Sequence, residues 1–163
     1  MQAIAGAIVQ RLTKAKMTLA LAESCTGGFI ANQITNVPGA SKIFLGGIVS
    51  YSNAAKQKFL GVRADALVRH GAVSELVARQ MAEGARKKFG ADYAIAVTGI
   101  AGPSGGSRPK PVGTVFIALA GPFETVVQCR LNPGTREQFK AATARQALEL
   151  LQKSGKFPHD NDG

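Results

Sequence analysis

The heptapeptide Ala22-Glu23-Ser24-Cys25-Thr26-Gly27-Gly28 is the first stretch of this chain whose residue types could do chemistry. Two glycines beside a hydroxyl let backbone approach a reacting carbon, and N–H groups at a helix start can stabilise an oxyanion or the serine's own alkoxide. The plainer reading is that Ser24 or Thr26 caps a helix, the usual task of an isolated Ser-x-Thr-Gly-Gly. Cys25 is a rival nucleophile, but no histidine stands near it in sequence, and it reads as a small apolar side chain.

What could take the proton of such a serine is narrowed by elimination. The chain has two histidines, His70 and His159. His159 lies in a polar tail, and His70, just before Gly71, reads as a turn or surface residue, so a serine–histidine–acid triad is poorly supplied. No HExxH, CxxC or clustered-carboxylate pattern offers a metal site. A lysine desolvated among apolar groups can act as a neutral amine base. Lys56 is the candidate, because it follows Asn53 directly after an apolar strand, whereas most other lysines lie in flanks or on charged helix faces. A lysine in the first turns of a helix is usually solvated, so burial is the property to look for.

The elements that must position these residues follow from periodicity and punctuation. Residues 3–15 repeat apolar positions at helical spacing, and 17–23 form a compact apolar run of strand length. Residues 24–37 read as a turn and cap leading into a helix that Asn36, Pro38 and Gly39 end. A strand is expected over 44–52, then a helix over 54–60 capped by Asn53 and closed by Gly61. Ser74 caps a longer helix that runs to Phe89, and Gly90 closes it. Residues 92–100 read as a buried strand that empties into a loop over 102–113, too rich in Gly and Pro for regular structure. Two strands, 114–121 and 124–132, form a hairpin at Gly121 and Pro122. A last helix spans 135–153, and the polar segment 154–163 is expected to fray. Helices interleaved with strands, plus one hairpin, predict a single-domain layered α/β sandwich with a mixed β-sheet flanked by helices.

Composition sets the outer bounds. With 163 residues, 45% apolar and 18% charged, one globular domain over 1–163 is expected, its core at about 5–152. No apolar run approaches the roughly 20 residues that cross a bilayer, and Met17–Ala22 is too short and lacks a cleavage site, so no membrane association and a cytoplasmic location are expected. Cys25 and Cys129 are expected to be reduced thiols. A net charge of +10 makes anionic partners plausible. The absence of Trp and an aromatic content of 6% argue against a base-stacking platform, and so against nucleic acid as the partner. A homodimer is expected, because small domains of this kind often complete a core or a site by pairing.

The segments AESCTGG, GGIVSYSNAAKQKFLGV, VTGIAGPSGG and KPVGTVFIAL, in that order, resemble the CinA C-terminal domain family over residues 5–152. The resemblance is to the short, stand-alone form, without the molybdopterin-binding-like domain of full-length members. It implies the activity of the family's nicotinamide-nucleotide amidases: hydrolysis of the carboxamide of nicotinamide mononucleotide to nicotinic acid mononucleotide and ammonia. It also places the catalytic serine at Ser24, a tyrosine at Tyr51 and a lysine at Lys56, with no metal or organic cofactor. Tyr51 and Lys56 are five apart and would diverge by about 140° on one continuous helix, so a break at Asn53 is needed for both to face Ser24.

For the substrate, the resemblance points to Thr26, Gly27 and Gly28 in the first motif and to Thr98, Gly99, Gly102, Gly105 and Gly106 in the Thr98–Gly113 segment, whose backbone can approach a ribose phosphate. Arg108 and Lys110 could reach the phosphate. Arg136, at the start of the last helix, is expected to bind it, with Lys140 where the family commonly has a second arginine. Glu23 belongs to the motif without an assigned role. Two other readings stand beside this one: a competence- or DNA-associated accessory module without amidase activity, and an amidase for another small amide.

Overall fold

Alternation of large and small side chains along the strands decides how this chain is layered. In the computed structural model, which describes residues 1–158, five strands form one sheet in the order β2-β1-β3-β4-β5. They are β1 (Leu19–Glu23), β2 (Phe44–Val49), β3 (Tyr93–Gly99), β4 (Thr114–Ala120) and β5 (Thr125–Leu131). β2, β1 and β3 are parallel, whereas β4 and β5 form an antiparallel hairpin against β3. The helices are α1 (Gln2–Ala15), α2 (Phe29–Thr35), α3 (Asn53–Leu60), α4 (Ala64–His70), α5 (Glu75–Phe89) and α6 (Arg136–Ser154). The expected α/β sandwich with a mixed sheet is what is found.

One face of the sheet carries Leu19, Leu21, Ile95, Val97, Val115, Ile117 and Leu119 and packs with α1, α2 and α6. The other carries Ala20, Ala22, Ala94, Ala96, Ala118 and Ala120 under Val77, Met81 and Ala85 of α5. Alanines on that face let α5 lie close to the strands, so its own apolar stripe fills the space that larger strand residues would occupy. At Gly84 the approach of α5 to the end of α3 is closer still. A Cβ there would stand only 1.8 Å from the Leu60 carbonyl oxygen, far inside van der Waals contact.

Topology brings the functional segments to one edge. The carboxyl ends of parallel β1, β2 and β3 share it, as ligand sites of open α/β sheets commonly do. The segment from β3 to β4 and the end of β5, which leads into α6, return to the same edge because those strands run antiparallel.

Several expected boundaries moved for identifiable reasons. α2 starts at Phe29 and not beside Ser24, because Gly27 and Gly28 take positive φ of 59° and 99° and hold a turn there. β2 ends at Val49 and not Ser52, and Ser52 caps α3, its hydroxyl accepting from the Ala55 N–H at 3.0 Å. Asn53 is therefore not the cap but the first residue of the helix. α4 was absent from the sequence reading; its seven residues bury only Ala66 and Leu67, too little for a period to show. The segment after α6 does not simply fray: Phe157 is buried, its ring 5.6 Å from that of Tyr93 and 4.3 Å from the Arg11 guanidinium. His159 lies outside the described residues.

Gly84→Ala should lower stability by about 2–3 kcal/mol, because backbone rather than a movable side chain must yield. A fall of roughly 5–10 °C in Tm by calorimetry is expected; an unchanged Tm would mean that α3 and α5 are not in contact there.

Candidate active site

Ser24 stands one residue beyond β1, still held to the sheet by its N–H, which donates to the Val97 carbonyl at 3.2 Å. The chain then turns tightly, the Gly27 N–H donating to the Ser24 carbonyl at 3.1 Å. This turn is secured by Glu23, whose buried carboxylate accepts from Thr26 Oγ1 at 2.6 Å and from the Ile30 and Ala31 N–H groups at 2.9 and 3.0 Å. The acid in the motif is thus a helix cap reaching forward from the strand, a favourable place for an anion. It also corrects one expectation: those first amides of α2 are occupied by Glu23 and are not free for an oxyanion beside Ser24.

Lys56 lies in the second turn of α3 and is 1% exposed. Its Nζ donates to Ser24 Oγ at 2.9 Å, to the Ser50 carbonyl at 2.7 Å and to the Tyr51 carbonyl at 3.3 Å. Desolvation holds its pKa below the ordinary 10.5, with the neighbouring Cys25 thiol acting weakly the other way. As a neutral amine, a tetrahedral nitrogen that gives its two hydrogens to two carbonyls has its lone pair left for the third direction, which is that of Ser24 Oγ. The expected burial of this lysine is therefore present, and with it the contact to the serine.

The other sequence-predicted residues divide into two groups. A cavity of about 290 Å³ opens above Ser24 and Lys56, and Tyr51, Thr98, Gly99, Gly102, Gly105 and Arg136 line it. Thr26, Gly27, Gly28 and Gly106 do not. The Thr26 hydroxyl is committed to Glu23, the two glycines shape the turn, and Gly106 packs against Val112. In this structure these four support the walls of the cavity from behind its lining. Lys110 is likewise a strut, its Nζ donating to the His70 carbonyl at 2.8 Å, and Arg108 is exposed outside the cavity lining. His70 is exposed, as its place before Gly71 suggested.

Tyr51 meets Lys56 through its main chain, while its hydroxyl accepts from the Arg136 guanidinium at 3.2 Å. Arg136 also donates to the Gly102 carbonyl, and so ties the β3–β4 loop to Tyr51. Thr98 Oγ1 donates to the Ala72 carbonyl at 2.9 Å, fixing the segment between α4 and α5 as a further wall. Asn53, Ala72, Val73 and Ser104 belong to the lining and were not among the expected site residues. Only Asn53, adjacent to the strand end, had a position from which this could have been read.

Cys25 is free, as is the exposed Cys129. Burial pushes the Cys25 thiol up to about 12, offset only in part by its own backbone N–H and by Lys56. It is uncharged at neutral pH, which makes it a poor nucleophile. Among the described residues, no group of three or more His, Cys, Asp or Glu could hold a metal ion, and no helix is long and apolar enough to cross a membrane.

A strand-end serine hydrogen-bonded to a buried lysine at the carboxyl edge of a mixed α/β sheet is the feature around which this cavity is built. The family is shown by comparison with known sequences: the model of the CinA C-terminal domain matches residues 1–154, and the chain belongs to that family. A CinA-like protein of Anaeromyxobacter sp. (strain K) is 51% identical over 144 residues, covering 88% of this chain and 35% of that protein. One from Thermotoga maritima is 50% identical over 148 residues, covering 90% and 36%. The chain thus spans about a third of the length of these curated relatives. Among solved structures, the competence/damage inducible protein CihA of Agrobacterium tumefaciens superposes with a TM-score of 0.92 at 40% identity, covering 95% of each chain. A competence-damaged protein (CinA) superfamily protein from Escherichia coli gives 0.89 at 36%, covering 93% and 88%.

Two outcomes are expected. Glu23→Ala, which leaves two helix amides and a hydroxyl without their acceptor, should cost about 2–4 kcal/mol in urea unfolding; a loss within experimental error would remove Glu23 from this role. Because the folded-state pKa of Lys56 is lowered, the unfolded chain binds the extra proton between that value and 10.5, so this group's contribution to stability rises with pH across that window. Below it the full cost of burying the charge is present. Urea melts of wild type and Lys56→Met should show that slope in the first and its loss in the second.

Proposed function

We propose that this domain is an amidase acting on the carboxamide of nicotinamide mononucleotide, with Ser24 as nucleophile and Lys56 as base. The observation that carries the reading is the 2.9 Å contact between Ser24 Oγ and the buried Lys56 Nζ, with two carbonyls directing the amine. Neutral Lys56 takes the Ser24 proton as Oγ attacks the carboxamide carbon, and returns it to the nitrogen that leaves as ammonia. A water then attacks the acyl ester, its proton passing to Lys56, and Ser24 is regenerated with release of the acid. Tyr51 acts in this scheme by orienting Lys56 through its carbonyl, while its hydroxyl and Arg136 shape the cavity rim.

The choice of a nucleotide amide is supported by the charge of the cavity. With Lys56 neutral, Arg136 is the charged residue of its lining, and no carboxylate belongs to that lining, which suits a substrate bearing a phosphate. Lys140, one turn after Arg136, brings a second cation close to Gly27. No metal or organic cofactor enters the scheme.

The test is ammonia release from nicotinamide mononucleotide. Wild type should turn over, Ser24→Ala and Lys56→Met should fall by at least about a thousandfold while remaining folded, and Cys25→Ala should keep most of the activity. A folded wild type as inert as Ser24→Ala would sink the reading, and salt-sensitive DNA binding by that protein would favour an accessory module instead.

A further inference from the structure

Asn53 sits where a helix cap was expected, yet Ser52 performs that task and leaves the Asn53 side chain unused by the helix. Among the described residues no hydrogen bond engages its amide. It lines the same cavity as Ser24 and Lys56. Asn53 and Lys56 are three apart on α3, so they are neighbours on one helix face, the amide about one turn nearer the opening than the amine. Burial orders the cavity in the same way: Lys56 and Ser24 are 1% and 7% exposed at its floor, whereas Tyr51 is 62% exposed and Asn53 exposed at its rim.

We infer that Asn53 is a substrate-contacting residue, its amide hydrogen-bonding the part of the substrate that projects from the reacting carbon toward the rim. A primary amide offers one acceptor and two donors. The matching group is one that both donates and accepts, such as the hydroxyls of a sugar. At the first position of a helix a carboxylate would serve the macrodipole better than an amide does. The neutral amide suits the cavity, whose lining carries no negative charge. This assignment rests on the amidase reading of the cavity, and adds to it which face of the substrate is recognised by α3.

The test uses the full chain and two variants, Asn53→Asp and Asn53→Ala, with nicotinamide mononucleotide as the probe. Ser52 still caps the helix in both, so melting temperatures near that of wild type are expected, and Asn53→Asp should match or exceed it. KM should rise about tenfold, the equivalent of one net hydrogen bond of about 1.4 kcal/mol, with kcat within twofold. The same substitutions made in Ser24→Ala and titrated with the nucleotide by calorimetry read binding without turnover, and should show the same weakening. Unchanged KM and unchanged binding, with wild-type turnover intact, overturn the role of Asn53 and leave the amidase standing. Weakened binding in the Ser24→Ala background, with a wild type that releases no ammonia, supports Asn53 and overturns the amidase. No binding by any form overturns both.

Discussion

An amine carried into a protein interior needs acceptors for its hydrogens, and the chain that supplies them decides where the amine points. At Lys56 two of the acceptors are the Ser50 and Tyr51 carbonyls, which β2 leaves unpaired as it runs off the sheet edge. The third is the hydroxyl one residue beyond the neighbouring strand β1. The contact between serine and lysine thus follows from two adjacent parallel strands ending at the same level, followed by a helix that turns back over them. Moving either strand end by one residue would reverse which face its side chains take and separate the pair.

The remainder of the site can be understood as devices that hold those two strand ends. Glu23 fastens the turn after β1 from within by capping α2. Arg136, 85 residues beyond Tyr51, holds the segment after β2 by donating both to the Tyr51 hydroxyl and to the Gly102 carbonyl of the β3–β4 loop. The alanine face beneath α5 matters for the same reason. It sets the depth at which α5 lies, and α3 rests on α5 at Gly84, so small strand residues near the middle of the sheet govern the height of the lysine.

Much of this was legible in the residues. Alternation and turn chemistry predicted all five strands and five of the six helices, and the parallel-then-hairpin order implied a mixed sheet. The pairing of Ser24 with Lys56 rested on elimination and on family resemblance, since nothing in a run such as Asn53-Ala54-Ala55-Lys56 shows which way the lysine points. Boundaries failed where a local residue had two plausible uses. Ser52 and Asn53 are both good caps, and only the backbone direction at the end of β2 selects between them. Glu23 had no role that the sequence could assign and Thr26 read as a cap or a substrate contact, because nothing local shows that the two satisfy each other. The fate of Phe157 depended on the distant Tyr93, Arg11 and Lys156, which no local pattern reveals.

The way Phe157 is docked has a practical side. Tyr93 begins β3 at the end of the sheet opposite Gly99, and its hydroxyl both accepts from the Lys156 N–H and donates to the Lys156 carbonyl at 2.8 Å. α6 starts at the cavity and runs 19 residues, roughly 28 Å, before reaching that place. A dye or tether carried at the exposed position 158 would therefore sit at the end of the sheet remote from the opening, leaving the mouth unobstructed.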